Sequence, residues 1–278
     1  MVMDWSPAML LGVLLALTPG AGGAQVHFTN GFRVSELAPR SAIVWTRLSG
    51  QAAPNPVVHE RRAEVFRHPI DFDEGMPIAE MDGAVSGAEG FVRVVLTGGG
   101  TERATEWSPA VADEDYTVHV SLDSLEPATA YRIELQGALV DGGPAVATAG
   151  GTFRTAPLDS VAVPVTFTAS TCQYFWSYDD SVAGFRSYGS MAELGPDFFV
   201  QTGDYVYYDY YDKPGPLATT RARARHKWHA ISGWPAVREL FSKTPTYFVK
   251  DDHDLLSDDA HPETADYAEL SYAEGLSI

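Results

Sequence analysis

Three apolar runs in the second half of this 278-residue chain do most to constrain its fold. They are VPVTFTAST at 163–171, PDFFVQTG at 196–203 and TPTYFVK at 244–250, each with the length and composition of a buried strand. Helical patterns lie between them, at 179–196 and at 221–243. A break is expected within the second of these patterns. Buried strands that alternate with helices are typical of βαβ units, so the pattern predicts a largely parallel or mixed sheet.

Each apolar run stops at residues that can do chemistry. Cys172 follows the first run, Asp204 follows the second, and Asp251, Asp252 and His253 follow the third. The carboxyl ends of parallel strands lie at one edge of the sheet, where open α/β sheets bind their ligands. A thiol and several carboxylates at one edge repel each other unless positive charge lies between them. The sequence therefore predicts a metal centre at this edge.

The residues around these strand ends also allow less specific interpretations. A lone cysteine at a strand end is most often a small buried apolar residue. The run QTGDYVYYDYYD at 201–212 is compatible with packing plus a surface loop, although a phenolate is also a hard ligand for a ferric ion. The stretch KDDHDLLSDD at 250–259 is compatible with a solvated acidic loop or a calcium-binding surface. The RARAR stretch at 221–225, like Arg238, favours a solvated helix face over a contact with phosphate.

Residues 26–155 show a different, all-β pattern. The segments at 41–48, 91–96 and 116–122 have strand-like composition, and the last two alternate apolar and polar residues. A turn then leads into a strand headed by Tyr131, a position from which a tyrosine in a β-sandwich often bonds back over the corner. The pattern predicts an immunoglobulin- or fibronectin-like sandwich.

The N-terminus has the features of a secretory signal peptide. An apolar core at 9–17 is followed by small residues up to Ala24, which predicts cleavage of residues 1–24 and export to the periplasm, the cell surface or the medium. The alternative is a buried strand or helix of the mature protein. No other stretch is apolar enough to cross a membrane.

Charge and cysteine content exclude some functions. The formal net charge is −18, which argues against general binding to nucleic acid or to an anionic membrane. The single cysteine, Cys172, excludes an intramolecular disulfide. An acidic protein can still bind phosphate esters, and we expect it to recruit metal cations for that purpose.

The motifs together resemble the alkaline phosphatase D, or PhoD-like, metallophosphatases. The resemblance is carried by STCQ at 170–173, PDFFVQTGDYVYYD at 196–209 and TPTYFVKDDHD at 244–254, after a sandwich domain of the kind that this family also carries. It implies that Cys172, Asp204 and Tyr207 bind a ferric ion.

The resemblance also implies a calcium ion and an activity. Asp204 would bridge to calcium with the help of Asp258, which stands where the family usually has asparagine, although Asp259 is the alternative in this register. Asp252 and His253 match the family's catalytic motif, and His253 would donate a proton to the leaving group or orient a ligand. The implied reaction is hydrolysis of small phosphate mono- or diesters.

The predicted organisation is a signal peptide at 1–24, a sandwich domain at 25–157 and an incomplete metallophosphatase domain at 158–278. The family's second half supplies further aspartate and histidine ligands, yet residues 262–278 contain no histidine. We therefore expect the chain to be a fragment of a longer protein. The alternative is an exported sandwich that serves as a binding or adhesion module and carries an inactive phosphatase remnant.

Overall fold

The computed structural model describes residues 25–59, 73, 75–209 and 217–278. The predicted signal peptide at 1–24 lies outside the described residues, so its cleavage and export stay predictions. None of the helices in the described ranges is long and apolar enough to span a bilayer.

The first part of the chain forms two antiparallel sheets. Their strands are β1 Phe32–Ser35, β2 Ala42–Arg47, β3 Gly90–Gly98, β4 Thr101–Ala104, β5 Ser108–Ala110, β6 Thr117–Leu122, β7 Ala130–Ala138 and β8 Ala147–Arg154. One sheet has the order β1-β2-β6, and the other has the order β4-β3-β7-β8 with β5 paired to β3. Alternate residues of both sheets enter one apolar core, which is why these strands alternate in sequence.

The strands predicted at 41–48, 91–96 and 116–122 are found as β2, β3 and β6. The Tyr131 corner is also confirmed, since the Tyr131 hydroxyl accepts a hydrogen bond of 2.8 Å from the Glu126 backbone N–H. The predicted boundary near residue 157 stays a prediction, although no strand or helix crosses it.

The second part of the chain forms a small parallel sheet with helices. Its elements are β9 Phe167–Ser170, α1 Arg186–Leu194, β10 Phe198–Gln201, α2 Arg221–Ser232, α3 Pro235–Lys243, β11 Thr246–Phe248 and α4 Tyr272–Ser277. The sheet order is β11-β10-β9, and both pairings are parallel, as predicted. The predicted break in the 221–243 helix separates α2 from α3. Phe199 of the central strand packs against Tyr188 of α1 and Phe241 of α3, with ring centroids 5.6 and 6.1 Å apart.

The first apolar run is not the buried strand that its composition predicted. β9 lies at the sheet edge, and Val163, Val165 and Phe167 are 46, 57 and 58% exposed. The Phe167 ring stacks on Phe198 of β10, so these side chains meet on one face of the sheet. An apolar run can thus form an edge strand whose outer face is exposed.

Helix α1 begins later than the predicted start at Asp179 or Asp180. The Asp180 side chain accepts hydrogen bonds from the backbone N–H groups of Val182 and Ala183, which forms a turn before the helix. The apolar side chains of this segment do not share one environment, since Val182 and Leu194 are 77 and 71% exposed whereas Phe185 and Tyr188 are buried. The predicted end of the helix is confirmed, since Gly195 closes it in a left-handed conformation.

Candidate metal centre

The loops after β9 and β10 turn sharply at two of the residues predicted as ligands. Cys172 and Asp204 have φ values of 54° and 55°, in the left-handed region that non-glycine residues seldom adopt. The two loops then bond to each other, because the Cys172 N–H donates to the Gly203 carbonyl and the Gln173 N–H donates to the Asp204 carbonyl, at 3.2 and 2.6 Å. Backbone strain at both positions is typical of functional sites.

Asp204 is the point at which the predicted iron ligands meet. Its Oδ2 lies 3.5 Å from Cys172 Sγ and 3.1 Å from the Tyr207 hydroxyl. Its Oδ1 is buried and has no hydrogen-bond partner within the described part of the chain. Burial raises the pKa of Asp204, and the negative charge of Asp252 adds to that rise against the opposing effect of His253. A buried carboxylate oxygen without a partner is costly, and a cation would compensate it.

The loop after β11 completes the cluster. Ligand atoms of Asp204, Asp252 and His253 all lie within 4.8 Å of one another. Asp252 and His253 were predicted as catalytic residues, and their positions also allow them to bind a cation beside Asp204. The donor set is therefore a thiol, a phenol, two carboxylates and an imidazole, which suits a transition metal together with a hard cation. The residues present fit a metal centre.

His253 is held by carboxylates on both ring nitrogens. Nδ1 lies 2.7 Å from Asp209 Oδ1, and Nε2 lies 3.4 Å from Asp258 Oδ1. Burial alone lowers the pKa of His253, but the hydrogen bond to Asp209 and the charges of Asp209, Asp204 and Asp252 outweigh it and raise the pKa above its usual value. The ring also packs against Tyr207, with centroids 4.3 Å apart.

Asp258, the predicted calcium ligand, lies at the margin of the cluster. Its side chain is 81% exposed and reaches His253 rather than Asp204. The alternative, Asp259, donates its backbone N–H to the Asp252 carboxylate. Neither carboxylate belongs to the Asp204 cluster, so the assignment of a calcium ligand between them stays a prediction.

An aromatic cluster forms one wall of the site. Tyr174, Trp176 and Tyr207 pack together in the interior, with Tyr174 and Tyr207 edge to face at 5.2 Å. Burial, followed by the negative charge of Asp204, raises the pKa of Tyr207 far above its usual value. The hydroxyl therefore keeps its proton and donates to Asp204 unless a cation displaces that proton.

Two aspartates that the sequence interpretation did not single out organise the site. Asp209 is buried and bonds His253, and its only sequence signal is its place in the tyrosine- and aspartate-rich run. Asp254 is fully buried, and its carboxylate accepts from the N–H groups of Val206 and Asp251, at 2.7 and 3.1 Å. Burial raises the pKa of Asp254 to about 7. Asp254 thus ties the loop after β10 to the loop after β11.

Two arginines considered for phosphate binding, Arg225 and Arg238, contact residues outside this cluster. Arg225 Nε lies 3.9 Å from Asp115, which precedes β6, and Arg238 donates to the Thr29 carbonyl at 3.4 Å. Both side chains therefore contact the first part of the chain.

Comparison with known proteins identifies the fold. No protein-family model matches the sequence, and no curated protein matches it either. Among solved structures, the chain is similar to PhoD, with a TM-score of 0.58 and 18% identity over 89% of this chain and 43% of that chain. It is also similar to a purple acid phosphatase from yellow lupin seeds, with a TM-score of 0.51 and 10% identity over 87% of this chain and 38% of that one.

These similarities place the chain in a fold that a phosphatase uses, and they confirm the resemblance to PhoD at the level of the fold. At 18 and 10% identity they show the fold alone. The chain spans about two fifths of the length of both structures.

Proposed function

We propose that this chain belongs to a metal-dependent hydrolase of phosphate mono- or diesters of the PhoD type. The observation that supports it best is the meeting of Cys172 Sγ and the Tyr207 hydroxyl at Asp204 Oδ2, beside Asp252 and His253. The strands that carry these residues end at one edge of a parallel sheet. Because the chain spans 43% of PhoD, the activity of a whole protein of that kind is part of this proposal.

The proposed metals are a ferric ion and calcium. Cys172, Asp204 and Tyr207 would hold the ferric ion as thiolate, carboxylate and phenolate, and Asp204 would share the calcium ion with Asp258 or Asp259. Bound cations of this kind neutralise the charge of phosphoryl oxygens and lower the pKa of a bound water.

His253 is the proposed proton donor or positioning residue at this site. Asp209 fixes the ring through Nδ1, so Nε2 faces the exposed Asp258. A raised pKa keeps the imidazole protonated to a higher pH, which suits donation to a leaving-group oxygen. The same contacts would let His253 orient the Asp258 carboxylate. Asp252 would act beside His253 as the second catalytic residue.

The proposal also includes the setting of the site. The antiparallel sheets would form an immunoglobulin- or fibronectin-like domain at 25–157, followed by a metallophosphatase domain at 158–278. The protein would be exported and would act on small phosphate esters rather than on nucleic acid, consistent with the net charge of −18.

Iron binding tests the centre directly. Addition of ferric ion to this chain completed with the second half of a PhoD-type protein should give a visible charge-transfer absorption from thiolate and phenolate ligands, whereas the 278-residue chain alone should bind iron weakly. Cys172→Ala and Tyr207→Phe should each weaken that absorption. Tyr174→Phe, which removes a neighbouring phenol of the same aromatic cluster, should leave it intact. An absorption that Tyr207→Phe does not change would contradict the phenolate assignment.

Hydrolysis tests the activity and the alternative function. The completed chain should cleave a chromogenic monoester and a chromogenic diester in the presence of iron and calcium, and Asp204→Asn should abolish cleavage. Absence of both metal absorption and hydrolysis in the completed chain, when circular dichroism shows it to be folded, would instead support the sandwich binding module with an inactive remnant.

A further inference from the structure

We infer that a second cavity, between helix α2 and the loops of the antiparallel sheets, binds a tetrahedral oxyanion such as a phosphate group. The cavity has a volume of about 470 Å³ and is lined by Arg221, Arg225, His226 and His229 of α2, and by Arg47 and Asp115 from the other side. Asp204, Asp252 and His253 do not line it, so it is separate from the candidate metal centre. The inference does not depend on the proposed phosphatase activity.

Positive charge is concentrated at this cavity. Arg221, Arg225 and His229 are four residues apart along α2, so they lie on one face of the helix. The one carboxylate in the lining, Asp115, lies 3.4 Å from Arg47 Nη2 and 2.7 Å from His229 Nε2. Burial lowers the pKa of His229, so its ring is neutral and Arg47 alone balances the charge of Asp115. Arg221 and Arg225 then leave positive charge at the cavity, in a chain whose net charge is −18.

Arg221 supplies that surplus charge. Its guanidinium forms no ion pair or hydrogen bond with the residues that the structure describes, although its charge acts at longer range on Glu274 of α4 and on Tyr208. Arg225 Nε, by contrast, lies 3.9 Å from Asp115. A half-buried arginine beside a cavity has five N–H donors that suit the oxygens of a phosphate group.

The first turn of α2 offers backbone donors at the same place. The helix begins at Arg221, and the Thr220 side chain caps the N–H of Arg223 at 3.2 Å. The N–H groups of Arg221 and Ala222 have no acceptor within the described ranges, and both residues line the cavity. Helix N-termini bind phosphate through such free N–H groups and through the helix dipole.

His226 gives an independent sign of a ligand. The residue is 5% exposed and lines the cavity, yet its Nδ1 is buried with no partner among the residues of known position. Burial lowers the pKa of His226 to about 3, so the ring is neutral and still offers one N–H donor. A buried polar side chain without a partner is rare in folded proteins, and an oxyanion in the cavity would provide one.

Calorimetric titration of the 278-residue chain with inorganic phosphate tests the inference. A chelator is present throughout, so the metal centre cannot contribute to the binding. We expect saturable binding of one phosphate per chain. Arg221→Gln should weaken this binding about tenfold, because one charge-assisted hydrogen bond is lost. Arg132→Gln is the matched control, because Arg132 is exposed on β7 and its loss changes the net charge equally. The control should change the affinity by less than about twofold.

Further titrations define the ligand and separate the two sites. Titration with glycerol 3-phosphate in place of inorganic phosphate shows whether a phosphate ester is preferred to the free ion. Arg221→Gln should weaken the binding of whichever ligand binds. Asp204→Asn should bind phosphate like the unmodified chain, even if the proposed hydrolase activity proves wrong. The inference fails if the chelated chain binds neither ligand saturably at millimolar concentration. It also fails if Arg221→Gln and Arg132→Gln weaken binding equally.

Discussion

The antiparallel sheets and the parallel sheet of this protein use similar apolar strands with opposite results. In β3, Val92 and Val94 are fully buried because the facing sheet covers them. In the parallel sheet, Phe199 is fully buried under α1 and α3, whereas Phe167 on the edge strand is 58% exposed. Apolar composition is therefore a poor guide to burial in the second part, where no described element covers the outer face of β9.

The comparison suggests that stability and chemistry reside in different parts of the molecule. The antiparallel part gains stability from the burial of aliphatic side chains. The parallel part holds buried polar groups that are costly to desolvate, including the unpartnered Asp204 Oδ1 and the carboxylate of Asp254. Functional sites commonly break the local rules that the rest of a fold obeys.

The largest expected effect tests the contrast between the two sets of strands. Val94→Ala should lower the free energy of unfolding by about 2–3 kcal/mol, from lost burial and the cavity that remains. Val165→Ala makes the same chemical change at a side chain that is 57% exposed, so it should cost less than about 0.5 kcal/mol. Urea denaturation of both variants measures the difference, and equal losses would contradict the comparison.

The next effect concerns the polar link between the two site loops. Asp254→Ala should lower the free energy of unfolding by about 1–3 kcal/mol, because the N–H groups of Val206 and Asp251 lose their acceptor. Asp254→Asn is the control, since it keeps one oxygen acceptor and should cost less. If urea denaturation shows the same loss for both variants, these hydrogen bonds do not hold the loops together.

The smallest effect concerns the corner of the antiparallel part. Tyr131→Phe keeps the ring in the core and removes only the hydroxyl that accepts from the Glu126 N–H. We expect a loss of about 0.5–1.5 kcal/mol in the free energy of unfolding, the usual contribution of one hydrogen bond. A variant as stable as the unmodified chain in the same urea titration would show that the corner bond is dispensable.

Local patterns in the sequence were enough to predict much of the fold. The alternation of residues 91–96 and 116–122 predicted β3 and β6, because one face of each strand enters a core. The three apolar runs separated by helices predicted a parallel sheet, because parallel strands need crossover connections. The order of residues at the strand ends also predicted that Cys172 and Asp204 would meet.

Only the tertiary structure decided which groups surround Cys172 and Asp204. The His253 bond to Asp209 joins residues 44 positions apart, and the Asp254 bond to the Val206 N–H joins residues 48 apart. No local periodicity encodes such pairs, because they depend on how the loops after β10 and β11 turn at the sheet edge. The burial that the composition of β9 predicted was wrong, since exposure depends on what covers a strand rather than on its own residues.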